Sequence, residues 1–341
     1  MQSLPKVINS VEELDEVLSR PTPALVESMR CLSGDIMILG AGGKVGPSMA
    51  RLAQRAIAEA GVKKKVLAVD VMPLTSLQGT GVETIVCDLL DLDAVSKLPK
   101  VENVIFMVGR KFGSTGKESM TWAINVMVPY HVARSFTKSR IAAFSTGCVY
   151  PVMDVKTCGA TEATPTEPVG EYAQSCLGRE RMFDYFADNQ GERVVHVRLN
   201  YAVELRYGVL YDIASRVWNG EEVDVTTGFA NVIWQGDACN QVLQSLALAV
   251  APARILNIAG PETFAIRAVA QTFGNLLGKP VKIAGVENGL GYLNNAQQAN
   301  QLFGNPVVPL GRILTWIAHW IKNGGTSLGK PTHFETQNGK Y

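Results

Sequence analysis

The sequence predicts an α/β protein with a doubly wound parallel sheet and a smaller C-terminal lobe. Short, continuously apolar segments recur through the first 200 residues, and helix-length segments separate most of them. Strands without polar alternation are buried on both faces, as in a parallel sheet covered by helices. The regular alternation of strand and helix indicates double winding. This alternation loosens after residue 200, which indicates a second lobe.

The segments follow one another in a simple order. A first helix is expected at Val11–Leu18 after Ser10, a good N-cap residue, and Pro21-Thr22-Pro23 stops it. Each expected strand is a short apolar run, and the six runs are 35–39, 66–70, 84–88, 104–108, 141–145 and 194–199. A helix from Ser48 to Ala60, ended by Gly61, separates the first two strands. Later helices are expected near 208–219, 238–250, 264–277 and 311–323.

These elements define the predicted domains. Residues 1–33 form an N-terminal helical extension, and residues 34–200 form the dinucleotide-binding domain, to which 231–258 return. The substrate lobe is predicted from 201–230 and 259–323. The Gly-, Thr- and Lys-rich tail, 324–341, is expected to lie over the surface.

Composition excludes several classes of protein. With 47% hydrophobic and 18% charged residues, the chain is typical of a well-packed globular protein, and its formal net charge is only +1. It has no basic run with interleaved aromatics, no apolar run of membrane-spanning length and no signal-peptide layout at its start, so neither nucleic acid nor membrane is an expected partner. The six cysteines are scattered without a C-x-x-C pair. They predict reduced thiols in a cytoplasmic protein and no metal site.

A glycine-rich turn, Gly40-Ala41-Gly42-Gly43-Lys44-Val45-Gly46, stands between the first strand and its helix. Glycines let the backbone approach a pyrophosphate, and the helix N-terminus offers free N–H groups to the phosphates. A plain strand-to-helix turn is the alternative, but the context favours a Rossmann-type dinucleotide site. Asp70, which ends the second strand, would accept hydrogen bonds from the adenosine ribose and repel a 2′-phosphate. NAD is therefore the predicted cofactor, with Asp88 near the adenine.

Several further motifs occur in the order of one family. They are Asn125 within Trp122–Val126, the segment Phe144-Ser145-Thr146-Gly147-Cys148-Val149-Tyr150, Tyr172, the stretch Asn231–Asp237 and the stretch Leu256–Glu262. From about residue 35 to 322 the chain resembles the extended short-chain dehydrogenase/reductase family, the NAD-dependent epimerase/dehydratase group. The stretch Asn231–Asp237 lacks the arginine of the family pattern, and Pro151 replaces a glycine.

The resemblance implies roles for individual residues. Tyr172 would exchange a proton with a substrate hydroxyl or carbonyl, and Thr146, with Ser145 beside it, would hydrogen-bond the same oxygen. Further cofactor contacts are implied at Leu89, Val108, Gly109, Asn125, Cys176 and Leu199, in addition to the turn, the two aspartates and Tyr172. A homodimer through helices of the dinucleotide-binding domain is also implied.

The family's lysine, four residues after the tyrosine, is absent because Cys176 stands there. A phenol titrates near ~10, so a nearby cation matters for proton transfer at neutral pH. Three interpretations stay open. Another cation acts, namely Arg179, Arg110 or Lys111; or the nicotinamide charge suffices; or the protein binds NAD without turnover. Gly147 and Cys148 cannot supply the Asp-Glu pair of related dehydratases, so sugar dehydration is not expected.

The substrate is expected over the carboxyl ends of the strands, between the two lobes. Candidate contacts are Arg110, Lys111, Phe112, Thr146, Gly147, Cys148, Asn200, Tyr201 and Arg206. The main hypothesis is an NAD-dependent epimerase or dehydrogenase acting on a secondary alcohol or ketone of a sugar or sugar-derived substrate. The alternatives are a non-catalytic NAD-binding regulatory or scaffold protein and a reductase of a non-sugar carbonyl.

Overall fold

The computed structural model describes residues 3–111 and 116–339. Its centre is a seven-stranded sheet. The strands are β1 (Ile36–Leu39), β2 (Val66–Asp70), β3 (Glu83–Val86), β4 (Asn103–Phe106), β5 (Arg140–Thr146), β6 (Arg193–Leu199) and β7 (Arg254–Ile258). Their order is β3-β2-β1-β4-β5-β6-β7, and every neighbouring pair is parallel. This order confirms the predicted doubly wound Rossmann-type fold.

Helices cover both faces of this sheet and build the second lobe. They are α1 (Val11–Leu18), α2 (Pro23–Cys31), α3 (Gly46–Ala60), α4 (Leu92–Lys97), α5 (Glu118–Trp122), α6 (Val128–Ser135), α7 (Gly170–Gln190), α8 (Val209–Asn219), α9 (Gln235–Ser245), α10 (Ile266–Leu277), α11 (Gln297–Phe303) and α12 (Leu310–Lys322). The strand order reverses between β1 and β4, because β2 and β3 are added on one side of β1 and β4 to β7 on the other. In such folds ligands bind at the carboxyl ends of the strands beside this reversal.

The N-terminal segment contains one more helix than expected. Helix α1 begins as predicted, with the Ser10 hydroxyl accepting from the Glu13 amide. The Pro-Thr-Pro segment then ends α1 but also starts α2, because Thr22 caps α2 by accepting from the Leu25 amide and Pro23 occupies the first turn. A proline there lacks only an N–H that the helix would leave unpaired.

Strand β3 differs from the expected buried strand. It lies at the edge of the sheet, and Val86 is 60% exposed. An apolar run alone does not distinguish an edge strand from a central one, since both strands have the same backbone requirements. At the opposite edge, β7 pairs with β6. The stretch Leu256–Glu262 therefore begins inside the central sheet.

The tail is more deeply held than a surface segment. Thr332 and Phe334 are each only 2% exposed, and Phe334 packs in the apolar core of the second lobe. Asp212 of α8 accepts hydrogen bonds from the amide and the hydroxyl of Thr332, at 2.8 and 2.5 Å. The expectation of a superficial tail was wrong for Thr332 and Phe334, because these contacts anchor the tail to α8 and to the core of the second lobe.

Two further observations concern the described residues 3–111 and 116–339. None of their helices is long and apolar enough to cross a bilayer, and no group of three or more His, Cys, Asp or Glu is arranged to hold a metal ion. The six cysteines, all in these ranges, are free thiols.

Candidate active site

The glycine turn lies at the carboxyl end of β1, where the strand order of the sheet reverses. Gly40 has φ +86°, and a Cβ there would come within 2.9 Å of the Val108 backbone, so only glycine fits. The Gly40 and Ala41 amides donate to the Val69 carbonyl at 2.9 and 3.1 Å, which fixes the turn against β2. No side chain caps the N-terminus of α3, whose positive end faces a ligand here, although the Gly46 amide already donates to the Gly43 carbonyl at 3.2 Å and Pro47 has no N–H.

Asp70 stands beside this turn at the end of β2. Its Oδ2 accepts from the Gly42 amide at 2.7 Å, so the carboxylate and the turn hold each other in place. The glycine cradle, the uncapped helix and this carboxylate are the donors and acceptors that a dinucleotide with a free ribose 2′-hydroxyl requires. These residues fit NAD.

A cavity of about 380 Å³ opens beside the turn and reaches the second lobe. Thirteen of the predicted site residues line it. They are Gly40, Gly43, Lys44, Val45, Gly109, Lys111, Ser145, Thr146, Cys148, Tyr172, Leu199, Asn200 and Tyr201. The fold thus gathers residues from the ends of β1, β4, β5 and β6 with Tyr172 of α7, which are far apart in the sequence.

Tyr172 and Thr146 meet in this cavity. Burial raises the pKa of the Tyr172 phenol well above its usual value, and the nearby thiols of Cys176 and Cys148 raise it further. The charge of Arg179 and a hydrogen bond with Thr146 lower it. The phenol is therefore protonated at neutral pH and can donate its proton to a substrate oxygen.

Arg179 places a positive charge near Tyr172, which is the contribution that the family lysine would make. It lies two turns after Tyr172 on α7, and its side chain is almost completely buried. The guanidinium donates from Nη1 to the Phe144 carbonyl at 2.8 Å and from Nη2 to Asn125 Oδ1 at 2.9 Å. A Cβ on Gly109 would lie 2.8 Å from Nη2, so the glycine makes room for the arginine.

Asn125 organises the same region from a π-helical turn, Ala123–Met127, between α5 and α6. Pro129 follows, and a proline has no N–H to offer the carbonyl four residues earlier, which favours the wider turn. Asn125 Oδ1 accepts from the Arg110 amide at 2.8 Å, and its Nδ2 donates to Ser175 Oγ at 2.9 Å. Asn125 therefore lies behind the cavity wall as a positioning residue.

Cys176 and Ser145 have partners that the sequence did not reveal. Cys176 is fully buried in an apolar cluster with Val149 and Tyr150 and is not on the cavity wall, and burial raises the pKa of its thiol to about 11. It is thus an inert thiol in this position. Ser145 lines the cavity but donates its hydroxyl to Glu180, the buried partner of Arg198.

Of the other predicted cofactor residues, several lie beside the turn rather than on the cavity wall. Val108 packs against Gly40, and Gly46 begins α3. Asp88 is exposed, with its carboxylate accepting from the Leu90 amide at 2.9 Å, and Leu89 is buried next to it.

The predicted substrate residues divide into two groups. Lys111, Thr146, Cys148, Asn200 and Tyr201 line the cavity, whereas Arg110, Gly147 and Arg206 do not. Arg206 instead forms ion pairs with Glu204 and with Asp15 of α1. It therefore links the second lobe to the N-terminal extension. Phe112 lies outside the described residues.

Asn231 and Asn294, which sequence analysis did not select as site residues, lie behind Gly147. Asn200 donates to Asn231 Oδ1 at 2.8 Å, and Asn231 donates to the Asn294 carbonyl at 2.8 Å. A Cβ on Gly147 would come within 2.7 Å of Asn294 Oδ1, so a side chain there, such as the dehydratase aspartate, has no room. The missing family arginine in the stretch Asn231–Asp237 was the one sequence signal near this cluster.

Comparison with known proteins agrees with this geometry. Residues 36–203 match the model of the NAD dependent epimerase/dehydratase family. The matched segment carries the glycine turn, Thr146 and Tyr172 and belongs to this family, and the protein is an NAD-dependent enzyme with NAD as its cofactor. No curated protein sequence matches the chain significantly.

Solved structures with the same fold cover most of the chain. A dTDP-glucose 4,6-dehydratase from Streptomyces venezuelae, solved with NAD, is 18% identical with a TM-score of 0.71, covering 85% of this chain and 97% of its own. A UDP-glucose 4-epimerase from Thermotoga maritima is 16% identical with a TM-score of 0.68, covering 84% and 98%. The UDP-glucuronic acid 4-epimerase from Bacillus cereus, in complex with NAD, is also 16% identical with a TM-score of 0.68, covering 84% and 96%.

Proposed function

We propose that the enzyme interconverts a secondary alcohol and a ketone on a sugar or sugar-derived substrate, as an epimerase or a dehydrogenase. The observation that carries this proposal is the meeting of Tyr172, Thr146 and Arg179 beside the glycine turn. The three structures compared above are named as enzymes of nucleotide sugars, which supports a sugar-like substrate.

The proposed chemistry assigns one task to each side chain. Tyr172 exchanges a proton with the reacting substrate oxygen, and Thr146 hydrogen-bonds that same oxygen and fixes its position. Arg179 lowers the pKa of the phenol and so eases removal of its proton. Bound NAD supplies the acceptor and donor of the hydride. Gly147 and Cys148 offer no acid pair, so this proposal does not include dehydration.

Substitution of the two central residues tests the mechanism. Purified protein is assayed with a panel of sugars, sugar acids and nucleotide sugars, following NADH absorbance for net oxidation and NMR for epimerised product. We expect Tyr172→Phe and Thr146→Ala each to lower kcat by about 10²- to 10⁴-fold on any substrate found. Tyr185→Phe, on an exposed tyrosine of the same helix, is the matched control. Full activity in both active-site variants would exclude the assigned roles.

We also propose a homodimer formed through α5, α6 and α7. Five large apolar side chains are exposed on these helices and the π-helical turn between them, namely Met120, Trp122, Met127, Tyr130 and Tyr185. Exposed apolar patches of this kind mark interaction sites. Sedimentation equilibrium should give a dimer for the wild type and a monomer for Met127→Glu. Leu302→Glu on α11, also exposed, should leave the dimer intact.

The cytoplasm is the proposed location. Six free cysteines, two of them exposed, suit a compartment in which thiols stay reduced. Fractionation of cells that express the tagged protein tests this proposal.

A further inference from the structure

A second cavity, of about 520 Å³, lies between the segment 155–158, the turn 260–263 after β7 and the start of α11. It shares no lining residue with the cavity that contains Tyr172, so it is separate from the site assigned to NAD and the proposed substrate. Seven of its thirteen lining residues are asparagine or glutamine, and none of the described residues that line it is charged. We refer to it as the amide cavity.

Asn294 lines the amide cavity with a side chain that has no use within the protein. It is only 3% exposed, yet neither its Oδ1 nor its Nδ2 has a hydrogen-bond partner among the described residues. A buried amide without hydrogen bonds costs the folded state free energy. Asn300 of α11 also lines the cavity, and its Oδ1 is buried and lacks a described partner in the same way. A polar ligand would satisfy both carboxamides.

Backbone hydrogen bonds fix the walls of the amide cavity. The Ala160 amide donates to the Leu293 carbonyl at 2.7 Å, and the Asn295 amide donates to the Ala160 carbonyl at 2.8 Å. At the opposite wall, Asn231 Nδ2 donates to the Gly260 carbonyl at 2.9 Å. The lining amides are therefore held in place before a ligand arrives, which keeps the ordering cost of binding low.

The lining favours a neutral ligand that is rich in hydroxyl groups. Each carboxamide offers an acceptor oxygen and two N–H donors, and a sugar hydroxyl is likewise both a donor and an acceptor. An ionic ligand would lose its hydration here without gaining an ion pair, because no described lining residue is charged. No aromatic ring lines the described part of the cavity either, so a flat apolar ligand would find no surface on which to stack.

We propose that the amide cavity is a second binding site, which holds a neutral carbohydrate through side-chain amides. The proposal does not depend on the proposed function, because it uses none of the residues assigned to proton or hydride transfer. A Cβ on Gly147, the residue after Thr146, would come within 2.7 Å of Asn294 Oδ1. The carbohydrate would therefore lie behind the wall of the active site and not in it.

Cys158 provides a measurement of binding that needs no turnover. It is one of two exposed cysteines and lines the amide cavity, whereas the other, Cys31 of α2, does not. NAD-loaded protein is alkylated with iodoacetamide, and peptide mass spectrometry follows the labelling rate of each thiol. The competitors are D-glucose, maltose, D-glucuronate and D-glucosamine.

We expect saturating D-glucose or maltose to slow the labelling of Cys158 at least about fivefold, because a ligand in a cavity of this size covers most of the wall. Labelling of Cys31 should not change. The anionic D-glucuronate and the cationic D-glucosamine should protect Cys158 less than D-glucose does, since neither charge would find a partner on the wall.

Asn294→Ala and Asn300→Ala test the amides themselves. The Asn294 side chain has no hydrogen bond to a described residue, so its removal costs the fold none of these bonds. We expect each variant to raise the half-protecting concentration of D-glucose about fivefold, the factor that one net hydrogen bond is worth. Asn275→Ala, on an exposed asparagine of α10 that does not line the cavity, is the matched control.

Labelling of Cys158 that neither neutral sugar slows at any soluble concentration would mean that water alone occupies the cavity, and it overturns the proposal. Equal slowing at Cys31, stronger protection by a charged sugar, or unchanged protection in both asparagine variants also overturns it. Tyr172→Phe, the variant that tests the proposed function, should leave the protection intact. Loss of protection in Tyr172→Phe would assign the sugar to the active site instead, whereas loss of turnover alone would not affect this proposal.

Discussion

Arg179 Nη2 donates to Asn125 Oδ1 at 2.9 Å, which ties α7, the helix that carries Tyr172, to the π-helical turn. The same guanidinium lowers the pKa of Tyr172. The family lysine was expected four residues after the tyrosine, but Cys176 there is buried in an apolar cluster. A cation two turns along α7 therefore provides the charge that Cys176 lacks.

The first prediction concerns this arginine. Arg179→Met should lower kcat by about 10- to 100-fold and move the rising limb of the pH–rate profile to higher pH, because loss of the cation raises the pKa of the phenol. Arg179→Lys should recover part of the rate. Arg181→Met, on an exposed arginine of α7, is the control.

Cys176→Lys complements that experiment. Its side chain would enter an apolar cluster, so we expect lower stability and no gain in rate. A large gain in rate would instead show that the enzyme lacks an effective cation.

The second prediction uses the space beside Arg179. Gly109→Ala keeps every charged group but places a Cβ 2.8 Å from Arg179 Nη2. The guanidinium must shift, so kcat should fall and the pH–rate profile should move in the same direction as in Arg179→Met. Gly311→Ala in α12, whose Cβ would meet nothing within 4 Å and which lies away from the cavity, serves as the control for a glycine-to-alanine change. An unchanged profile in Gly109→Ala would mean that the exact position of the arginine is unimportant.

The third prediction concerns Glu192, which precedes β6. Neither carboxylate oxygen has a hydrogen-bond partner among the described residues, and burial raises its pKa from the usual 4.5 to about 7. The folded state therefore holds an extra proton between these pH values. The contribution of this carboxyl to the free energy of unfolding is fully present below pH 4.5 and is lost as the pH rises through 7.

Glu192→Gln should remove this dependence. We compare the free energy of unfolding of Glu192→Gln with that of wild type at each pH. This difference should shift in favour of the variant by on the order of 2 kcal/mol between pH 4.5 and pH 8. Urea unfolding at both pH values measures the difference, with Glu59→Gln as an exposed control. Parallel behaviour of wild type and Glu192→Gln across this range would contradict the assignment.

Local signals in the sequence were sufficient for much of the fold. The glycine turn, the strand before it and Asp70 at the end of the next strand are separated by few residues, and their chemistry depends on that spacing. Six of the seven strands, and their parallel arrangement, followed from apolar runs and helix alternation. The edge position of β3 and the start of α2 did not, because burial of a strand and reuse of a proline turn depend on neighbours elsewhere in the chain.

By itself the sequence determined the parallel sheet and the NAD turn, since apolar runs, helix alternation and the glycine spacing are local signals; the pairing of Thr146 with Tyr172 was implied by the family resemblance. Only the tertiary structure decided which charges surround that pair. Arg179 reaches Asn125 across 54 positions, and Lys111 meets Thr332 across 221. Such contacts have no period or spacing in the sequence, because chain folding and not local conformation brings them together.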